Sequence, residues 1–428
     1  MRDRTTLKWC LILFVAALAV RVATAAVFGI DGPMVEDERD YYALTHRIAR
    51  DHEFVRGRVF DVPVSAHESW EYVVDRSTSL RPPLLPFVLA PFVPAGVGSP
   101  VELRWVVVVL GALAAPLAYL GLRRTSLGER ARWVGLALAL WPPAIYLSLR
   151  ILAEPLASAL LLGVLAVPPD TDDRVIPERR SFAAGILGGL AILARPACLV
   201  AVVLVAFTRG GLRRAVWLAI GATLVVAPWV VRNWSIHGRP LLTTNTGVTL
   251  VGANSAAAAN AEWPGKWVEP EIVYRGAPDP PDAGFDGWSR LSEEASDARF
   301  ARDAVTWIRE NPGGFLRLAF WKVVRLFDPD QHSAKPDAGM KRLVGWLTFA
   351  PVLILAVIGF VLARRDATFR PWLAVLAGTV LTTIVFYGDV RMRSPADPTL
   401  LALAVLAVTR LRPRADASTG AASEDGRT

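Results

Sequence analysis

Charged residues and cysteines are scarce in this chain. Only 20% of its 428 residues are charged, 53% are hydrophobic and the mean hydropathy is +0.37, which is too apolar for a soluble domain of ordinary surface. The two cysteines, Cys10 and Cys198, lie inside apolar segments, which excludes a disulfide framework and a cysteine metal site. The five histidines show no metal-ligand spacing, which argues against structural zinc. We therefore expect the lipid bilayer to be the main solvent.

The positive charge is dispersed along the chain. The net charge is +8, but the arginines form short clusters between apolar runs, as in cytoplasmic loops of membrane proteins, so nucleic acid is not an expected partner. The apolar run 9–28 follows a basic start, is long enough to cross a membrane and precedes further spans, so we interpret it as an uncleaved first helix. Arg21 within it either snorkels, pairs with another helix, or belongs to a site.

Nine further segments have the apolar character of spans. They lie near residues 101–122, 132–149, 155–168, 181–194, 196–208, 213–231, 343–363, 371–387 and 395–409. The stretch 82–98 carries too many prolines for a regular spanning helix, so we interpret it as a re-entrant or juxtamembrane segment. With that choice, the arginine clusters between the later spans fall on the side of the N-terminus, as the positive-inside rule requires.

The pattern predicts an all-α polytopic membrane protein of about ten transmembrane helices, with amphipathic juxtamembrane helices in two outer loops. We expect a single transmembrane domain over residues 1–410, with both ends cytoplasmic and large non-cytoplasmic loops at about 30–100 and 232–341. Residues 411–428 are small and polar, which predicts a disordered cytoplasmic tail. The expected location is the cell membrane.

An acidic run follows the first helix directly. Four acids occur within five residues, in Glu36-Asp37-Glu38-Arg39-Asp40, where the chain leaves the bilayer. From Tyr41 onward, apolar residues recur at helical spacing, which predicts an amphipathic helix on the membrane surface. Two interpretations stay open: an acid-rich helix start without chemistry, or a set of catalytic carboxylates.

The second outer loop is predicted to contain two helices, at residues 292–310 and 315–327. On the second of them, Arg317, Trp321 and Arg325 share one face, with Lys322 adjoining. This pattern is typical of a basic interfacial helix, and we favour binding of lipid headgroups over catalysis for that face.

Further motifs accompany the acidic run. They are Arg81-Pro82-Pro83-Leu84, Leu152-Ala153-Glu154-Pro155, the stretch from Gly188 to Arg195-Pro196, Arg232-Asn233-Trp234, and Arg391-Met392-Arg393-Ser394-Pro395-Ala396-Asp397-Pro398. Together with the pair Asp37-Glu38 followed by Tyr41, they resemble the GT-C class of polyprenyl-phosphate glycosyltransferases, in the group of the protein O-mannosyltransferases and the aminoarabinose transferases of lipid A. The matches cover about residues 1–260 and 310–410, with Arg81 in place of the usual lysine and Met392 where tyrosine is common.

The resemblance implies a membrane glycosyltransferase that moves a sugar from a polyprenyl-phosphate donor to a lipid, glycan or protein acceptor on the non-cytoplasmic face. It makes Asp37 the catalytic base, with Glu38 as a supporting or alternative carboxylate. The residues it assigns to substrate binding are Tyr41, Arg81, Glu154, Arg195, Asn233, Arg391 and Arg393. No cofactor is indicated, although a divalent cation is compatible with this chemistry.

These residue types suit sugar transfer, but other interpretations remain. The acceptor must lose a proton, which calls for a carboxylate base, and the phosphate leaving group calls for arginine or lysine. Glu154 can instead be a helix-end charge that faces water, and Arg195 can be part of a short connector. The main alternative function is a transporter or flippase of lipid-linked sugars. We find no internal repeat, and the polar candidates cluster at one face.

Overall fold

In a computed structural model, the chain is almost entirely helical. The structure describes residues 2–56, 76–168, 178–208, 210–275, 292–330 and 338–411. The helices are α1 (Arg2–Phe28), α2 (Glu36–Asp51), α3 (Leu84–Leu89), α4 (Pro100–Ala112), α5 (Ala114–Leu122), α6 (Ala131–Ala139), α7 (Pro142–Ser148), α8 (Glu154–Ala166), α9 (Glu178–Ala194), α10 (Cys198–Thr208), α11 (Leu212–His237), α12 (Thr246–Ala253), α13 (Ala256–Ala259), α14 (Pro270–Val273), α15 (Glu293–Glu310), α16 (Pro312–Leu326), α17 (Ala338–Ala363), α18 (Arg370–Val385), α19 (Val390–Arg393) and α20 (Asp397–Leu411). Two short strands, β1 (Val55–Arg56) and β2 (Arg76–Ser77), pair antiparallel.

Several of these helices suit a membrane. Five helical segments of the described residues are long and apolar enough to cross one, by length and composition: Arg4–Phe28, Pro100–Leu122, Leu212–His237, Arg342–Ala363 and Ala367–Val385. The helical, multi-pass architecture expected from composition is thereby confirmed. The other expected spans coincide with shorter helices, such as α8 and α10, or with the broken pair α6 and α7, so the count of ten stays a prediction. The predicted tail lies, from residue 412 onward, outside the described residues.

Two apolar cores hold the helices together. One joins α1, α5, α6, α17 and α20, and the other joins α4, α8, α9, α10 and α11. Where α9 crosses α11, a Cβ atom on Gly185 or Gly221 would run into the backbone of the facing helix, so glycine permits the close approach. Outward-facing side chains such as Leu224 and Ile354 stay exposed (61% and 65%), as expected of surfaces that face lipid.

The segments between these helices carry short helices of their own. The proline-rich stretch forms the six-residue α3 and a 3-10 turn at Ala90–Phe92. The α2 helix buries one face, including Tyr41 and Leu44, and contacts both α3 and β1. The α16 helix packs against α18 and buries Lys322 completely, so this part of its basic face turns into the protein and not toward lipid headgroups.

Candidate active site

Three arginines and three carboxylates meet where several helices begin or end. They come from the first turns of α2 (Asp37, Asp40), the segment before α3 (Arg81), the start of α8 (Glu154), the residue after α9 (Arg195) and α19 (Arg391). Residues as far as 354 positions apart in the chain are in contact here. We call these six residues the arginine–carboxylate cluster.

Within this cluster, Asp37 is held by two arginines. Arg81 Nη2 lies 2.7 Å from its Oδ1 atom, and Arg391 Nη2 lies 2.6 Å from its Oδ2 atom. Burial alone would raise the pKa of Asp37, but the two guanidinium groups outweigh burial and lower the pKa to about 2. The Asp37 side chain remains 23% exposed. It is therefore a charged carboxylate that a small molecule can reach.

Arg391 bridges the two halves of the cluster. Its Nε atom lies 2.7 Å from Glu154 Oε1, while its Nη2 atom contacts Asp37. Arg195 Nη1 lies 3.1 Å from the same Glu154 oxygen and donates a hydrogen bond of 2.9 Å to the Arg391 carbonyl. Glu154 is almost completely buried, whereas Arg391 is 35% exposed. The buried carboxylate thus fixes one edge of the Arg391 guanidinium and leaves part of it open.

The cluster contains one more ion pair and has two tyrosines at its border. Arg81 Nε donates a hydrogen bond of 2.8 Å to Asp40 Oδ2. Burial raises the pKa of the Tyr41 and Tyr387 hydroxyl groups, and both tyrosines lie near enough to the charged groups for these to affect their pKa values. Two neutral hydroxyl groups therefore border a set of paired charges.

Glu38, the neighbour of Asp37, points elsewhere. Its side chain is fully buried and forms ion pairs with Arg104 (3.0 Å) and Arg150 (3.2 Å). It also accepts hydrogen bonds from the backbone N–H groups of Val35 (3.0 Å) and Ile151 (2.8 Å). Neighbouring residues on a helix point about 100° apart, so Asp37 and Glu38 cannot share one face. The structure does not bring Glu38 into the arginine–carboxylate cluster.

Asn233 and Arg393, which were predicted to bind substrate, also lie outside the cluster. Asn233 is buried, accepts a hydrogen bond of 2.7 Å from the Ser79 hydroxyl and donates one of 2.8 Å to the Leu241 carbonyl. It therefore anchors the segment that carries Arg81. Arg393 is buried against Asp397, with Nε 2.7 Å from Oδ1, and its guanidinium stacks over the Phe349 ring. Arg393 Nη1 also donates a hydrogen bond of 3.1 Å to the Leu326 carbonyl, and all three contacts are internal to the helical bundle.

The sequence did not point to three residues that shape this region, Arg104, Arg150 and Tyr387, and it indicated Asp40 only as a member of the acidic run. Arg104 carried a usable signal, because a charge inside an apolar helix is costly unless it is paired. That rule would have suggested a buried carboxylate partner, which proves to be Glu38. Tyr387 offered no comparable signal, since nothing local distinguishes it from a tyrosine at the end of a span.

The cluster has the chemistry to bind an anion and to accept a proton. Guanidinium groups bind phosphate through paired hydrogen bonds, and Asp37 is a partly exposed carboxylate beside two of them. Among the described residues, no group of three or more histidine, cysteine or acidic side chains is placed to hold a metal ion. Each carboxylate of the cluster is bound by arginine instead.

Comparison with solved structures shows the fold. The oligosaccharyltransferase of Archaeoglobus fulgidus in its apo form aligns over 95% of this chain and 50% of its own, with 14% identity and a TM-score of 0.52. The archaeal oligosaccharyltransferase AglB from the same organism, in complex with an inhibitory peptide and a dolichol-phosphate, aligns over 96% and 50%, with 13% identity and a TM-score of 0.52. These likenesses confirm the GT-C-like fold predicted from the motifs.

The likeness has clear bounds. This chain spans about half the length of the archaeal structures that it matches. ArnT from Cupriavidus metallidurans, bound to undecaprenyl phosphate, aligns over 94% of this chain and 78% of its own, with 16% identity and a TM-score of 0.41. No protein-family model and no curated protein matches the sequence.

Proposed function

We propose that this chain is a membrane glycosyltransferase, which moves a sugar from a polyprenyl-phosphate donor to an acceptor on the non-cytoplasmic face of the cell membrane. The observation that carries the proposal is the convergence of Arg81, Arg195 and Arg391 on Asp37 and Glu154, from four helix ends and the segment before α3. The GT-C-like fold supports it, because AglB, which shares that fold, was solved with a dolichol-phosphate.

The arginines are suited to the donor phosphate. Arg81 and Arg391 now pair with Asp37, and both keep exposed atoms, with side-chain exposures of 18% and 35%. A phosphate that arrives beside them competes with Asp37 for the same N–H groups. Arg195 stays on Glu154, and this pair holds the position of Arg391. In this proposal the phosphate binds chiefly to Arg81 and Arg391.

Binding of the phosphate to the two arginines also makes Asp37 a stronger base. While both arginines hold Asp37, its pKa of about 2 makes it a weak proton acceptor. Once the phosphate takes over their hydrogen bonds, the pKa of Asp37 rises. The acceptor oxygen then attacks the anomeric carbon, its proton passes to Asp37, and the carbon–oxygen bond to the phosphate breaks. The electron pair of that bond leaves with the polyprenyl phosphate, which the arginines stabilise.

The remaining predicted site residues act indirectly in this proposal. Glu38 fixes the start of α2 through Arg104 and Arg150, and thereby the direction of Asp37. Asn233 fixes the segment before Arg81 through Ser79. Arg393 fixes the connection after Arg391 through Asp397. These three residues position the cluster and do not touch the substrate.

We further propose the ten-span topology, with the cluster on the outer side. The cluster contains the first residue of α8 and the residue that follows the end of α9. In the proposed topology both of these helix ends lie on the non-cytoplasmic side. The arginine-rich connections, such as the one from Arg123 to Arg132, lie at the opposite helix ends.

The proposal is tested by reconstituting the purified protein in lipid vesicles with a polyprenyl-phosphate sugar labelled in the sugar. We expect the label to appear in an acceptor, with release of polyprenyl phosphate. A transporter or flippase of lipid-linked sugars would instead move the intact labelled donor between leaflets without cleaving it. Translocation without cleavage, from a preparation that binds the donor, would contradict the proposal.

A further inference from the structure

Lys322 is an unusual buried charge on α16. The residue is 0% exposed, and its Nζ atom donates hydrogen bonds to Asn254 Oδ1 at 2.7 Å and to the backbone carbonyls of Ile384 and Val385 at 3.2 and 3.4 Å. No carboxylate within the described parts of the chain forms an ion pair with it. Burial of the ammonium lowers the pKa of Lys322 to about 7.

The two backbone acceptors of Lys322 belong to the last turn of α18. The final carbonyl groups of a helix have no partners within the helix and carry its partial negative charge. Asn254 Nδ2 also donates to the Val385 carbonyl, at 2.9 Å. Directly after this turn, Phe386 leaves the helical conformation. Lys322 and Asn254 therefore fix the point at which the chain turns away from α18.

The backbone around Lys322 is packed just as closely. A Cβ atom on Gly388 would collide with the Lys322 carbonyl oxygen, and one on Gly265 would lie 2.6 Å from the Lys322 backbone nitrogen. The Gly388 N–H also donates a hydrogen bond of 2.9 Å to the Gly265 carbonyl. The lack of a side chain at both glycines thus allows the segment after α18 to pack closely against α16.

The segment after α18, residues 386–391, leads directly into the arginine–carboxylate cluster. Tyr387 lies beside the charges of Arg391 and Arg195. Asp389 accepts a hydrogen bond of 2.9 Å from the Arg391 backbone N–H, which starts α19. Arg391 follows the end of α18 at Val385 by only six positions, so a shift of that end moves the guanidinium that bridges Asp37 and Glu154.

We propose that Lys322 is a positioning residue, which holds the end of α18 and through it places Arg391 for the donor phosphate. The inference rests on the proposed function for its catalytic consequence, but not for its structural one. A lysine kept for stability alone would be a poor choice here, because burial of an ammonium group without a carboxylate partner is costly. Precise placement of the segment from Phe386 to Arg391 accounts for its presence.

The test compares Lys322→Met with Arg317→Met. Both variants remove one positive charge from α16, but Arg317 is exposed and its guanidinium donates only to the Ala259 carbonyl among the contacts of the described chain. Hydrogen exchange of residues 386–393 and the donor KM are measured for each. We expect exchange to become about tenfold faster and the donor KM to rise about tenfold in Lys322→Met. Arg317→Met should match the wild type in both.

Hydrogen exchange and the donor KM test the positioning role of Lys322 and the proposed function separately. Unchanged exchange in Lys322→Met, or an equal change in Arg317→Met, overturns the positioning role. Faster exchange with an unchanged donor KM keeps the structural link but contradicts the role of Arg391 in the proposed function. If Lys322→Met does not fold, Asn254→Ala removes the acceptor of the shortest hydrogen bond of Lys322. Both readouts should then change in the same direction, by about threefold.

A pH profile adds a readout that a purely structural role would not move. The other titratable groups on the elements packed around Lys322 are Lys266, Arg325, Tyr387 and Asp389. If the charged form of Lys322 places Arg391, the donor KM of the wild type rises between about pH 6 and pH 9, and Lys322→Met shows no such rise. Lys266→Met should keep the rise. Loss of the rise in Lys266→Met alone would assign it to Lys266 and overturn the charge-dependent part of the proposal.

Discussion

Replacement of Arg391 by glutamine separates the structural from the substrate-binding role of this residue. Arg391 forms ion pairs of 2.6 Å with Asp37 and 2.7 Å with Glu154. Hydrogen bonds to charged groups contribute about 1.5–3 kcal/mol each, and partial exposure of the arginine reduces this. Glu154 keeps Arg195 as a partner, at 3.1 Å. We therefore expect Arg391→Gln to lower the free energy of unfolding by about 2 kcal/mol.

The double variant Glu154→Gln/Arg391→Gln sharpens the test. It also leaves Arg195 without its carboxylate partner, so its free energy of unfolding should fall below that of Arg391→Gln. The donor KM of the folded protein should be about 10- to 100-fold raised in both variants, since both lack the guanidinium that we assign to the phosphate. Denaturation in detergent and steady-state transfer measure the two quantities. A wild-type donor KM in Arg391→Gln would refute the assignment of Arg391 to the donor.

Three further predictions concern other parts of the chain. Glu38→Gln should lower the free energy of unfolding by about 3–5 kcal/mol, because Arg104 then lies buried without a carboxylate. The transfer rate per folded molecule should fall less than tenfold. The unfolding midpoint measures the first effect and a transfer assay measures the second. Since the Asp37 pKa of about 2 lies below its ordinary 3.8, its ion pairs contribute full stability above about pH 4 and lose it as the pH falls toward 2; acid unfolding of Asp37→Asn should lack that loss. Reporters at residues 125–130 should lie inside and reporters at 240–275 outside, and an outside reporter at 125–130 would contradict the topology.

The sequence allowed the members of the cluster to be grouped before any contact was known. The positive-inside rule predicts one side of the membrane for a set of five residues: Asp37, Arg81, Glu154, Arg195 and Arg391. Charged residues of this kind are expected near the ends of spanning helices. Apolar length and composition were enough to predict the helical membrane fold, because only helices and closed barrels satisfy the backbone in lipid. The roles of these five residues stay predictions.

What the sequence could not provide is the direction of individual side chains. Asp37 and Glu38 are chemically alike neighbours, and Glu38 turns inward to Arg104 and Arg150, which lie far from it in the chain. Lys322 shares a basic pattern with Arg317, which is exposed, and the packing of α16 on α18 separates the two residues. Both outcomes depend on contacts between elements that lie far apart in the chain, which local periodicity does not encode.

The most direct test of the central claim is the transfer rate of Asp37→Asn beside that of Asp51→Asn. Both changes neutralise an aspartate of α2, but Asp51 is exposed, paired only with Arg47 among its contacts in the described chain, and lies at the far end of the helix. Donor binding is measured separately. We predict that Asp37→Asn binds the donor but that its transfer rate falls by about a hundredfold or more, while Asp51→Asn transfers at the normal rate. Transfer at the normal rate by Asp37→Asn would contradict the assignment of Asp37 as the base.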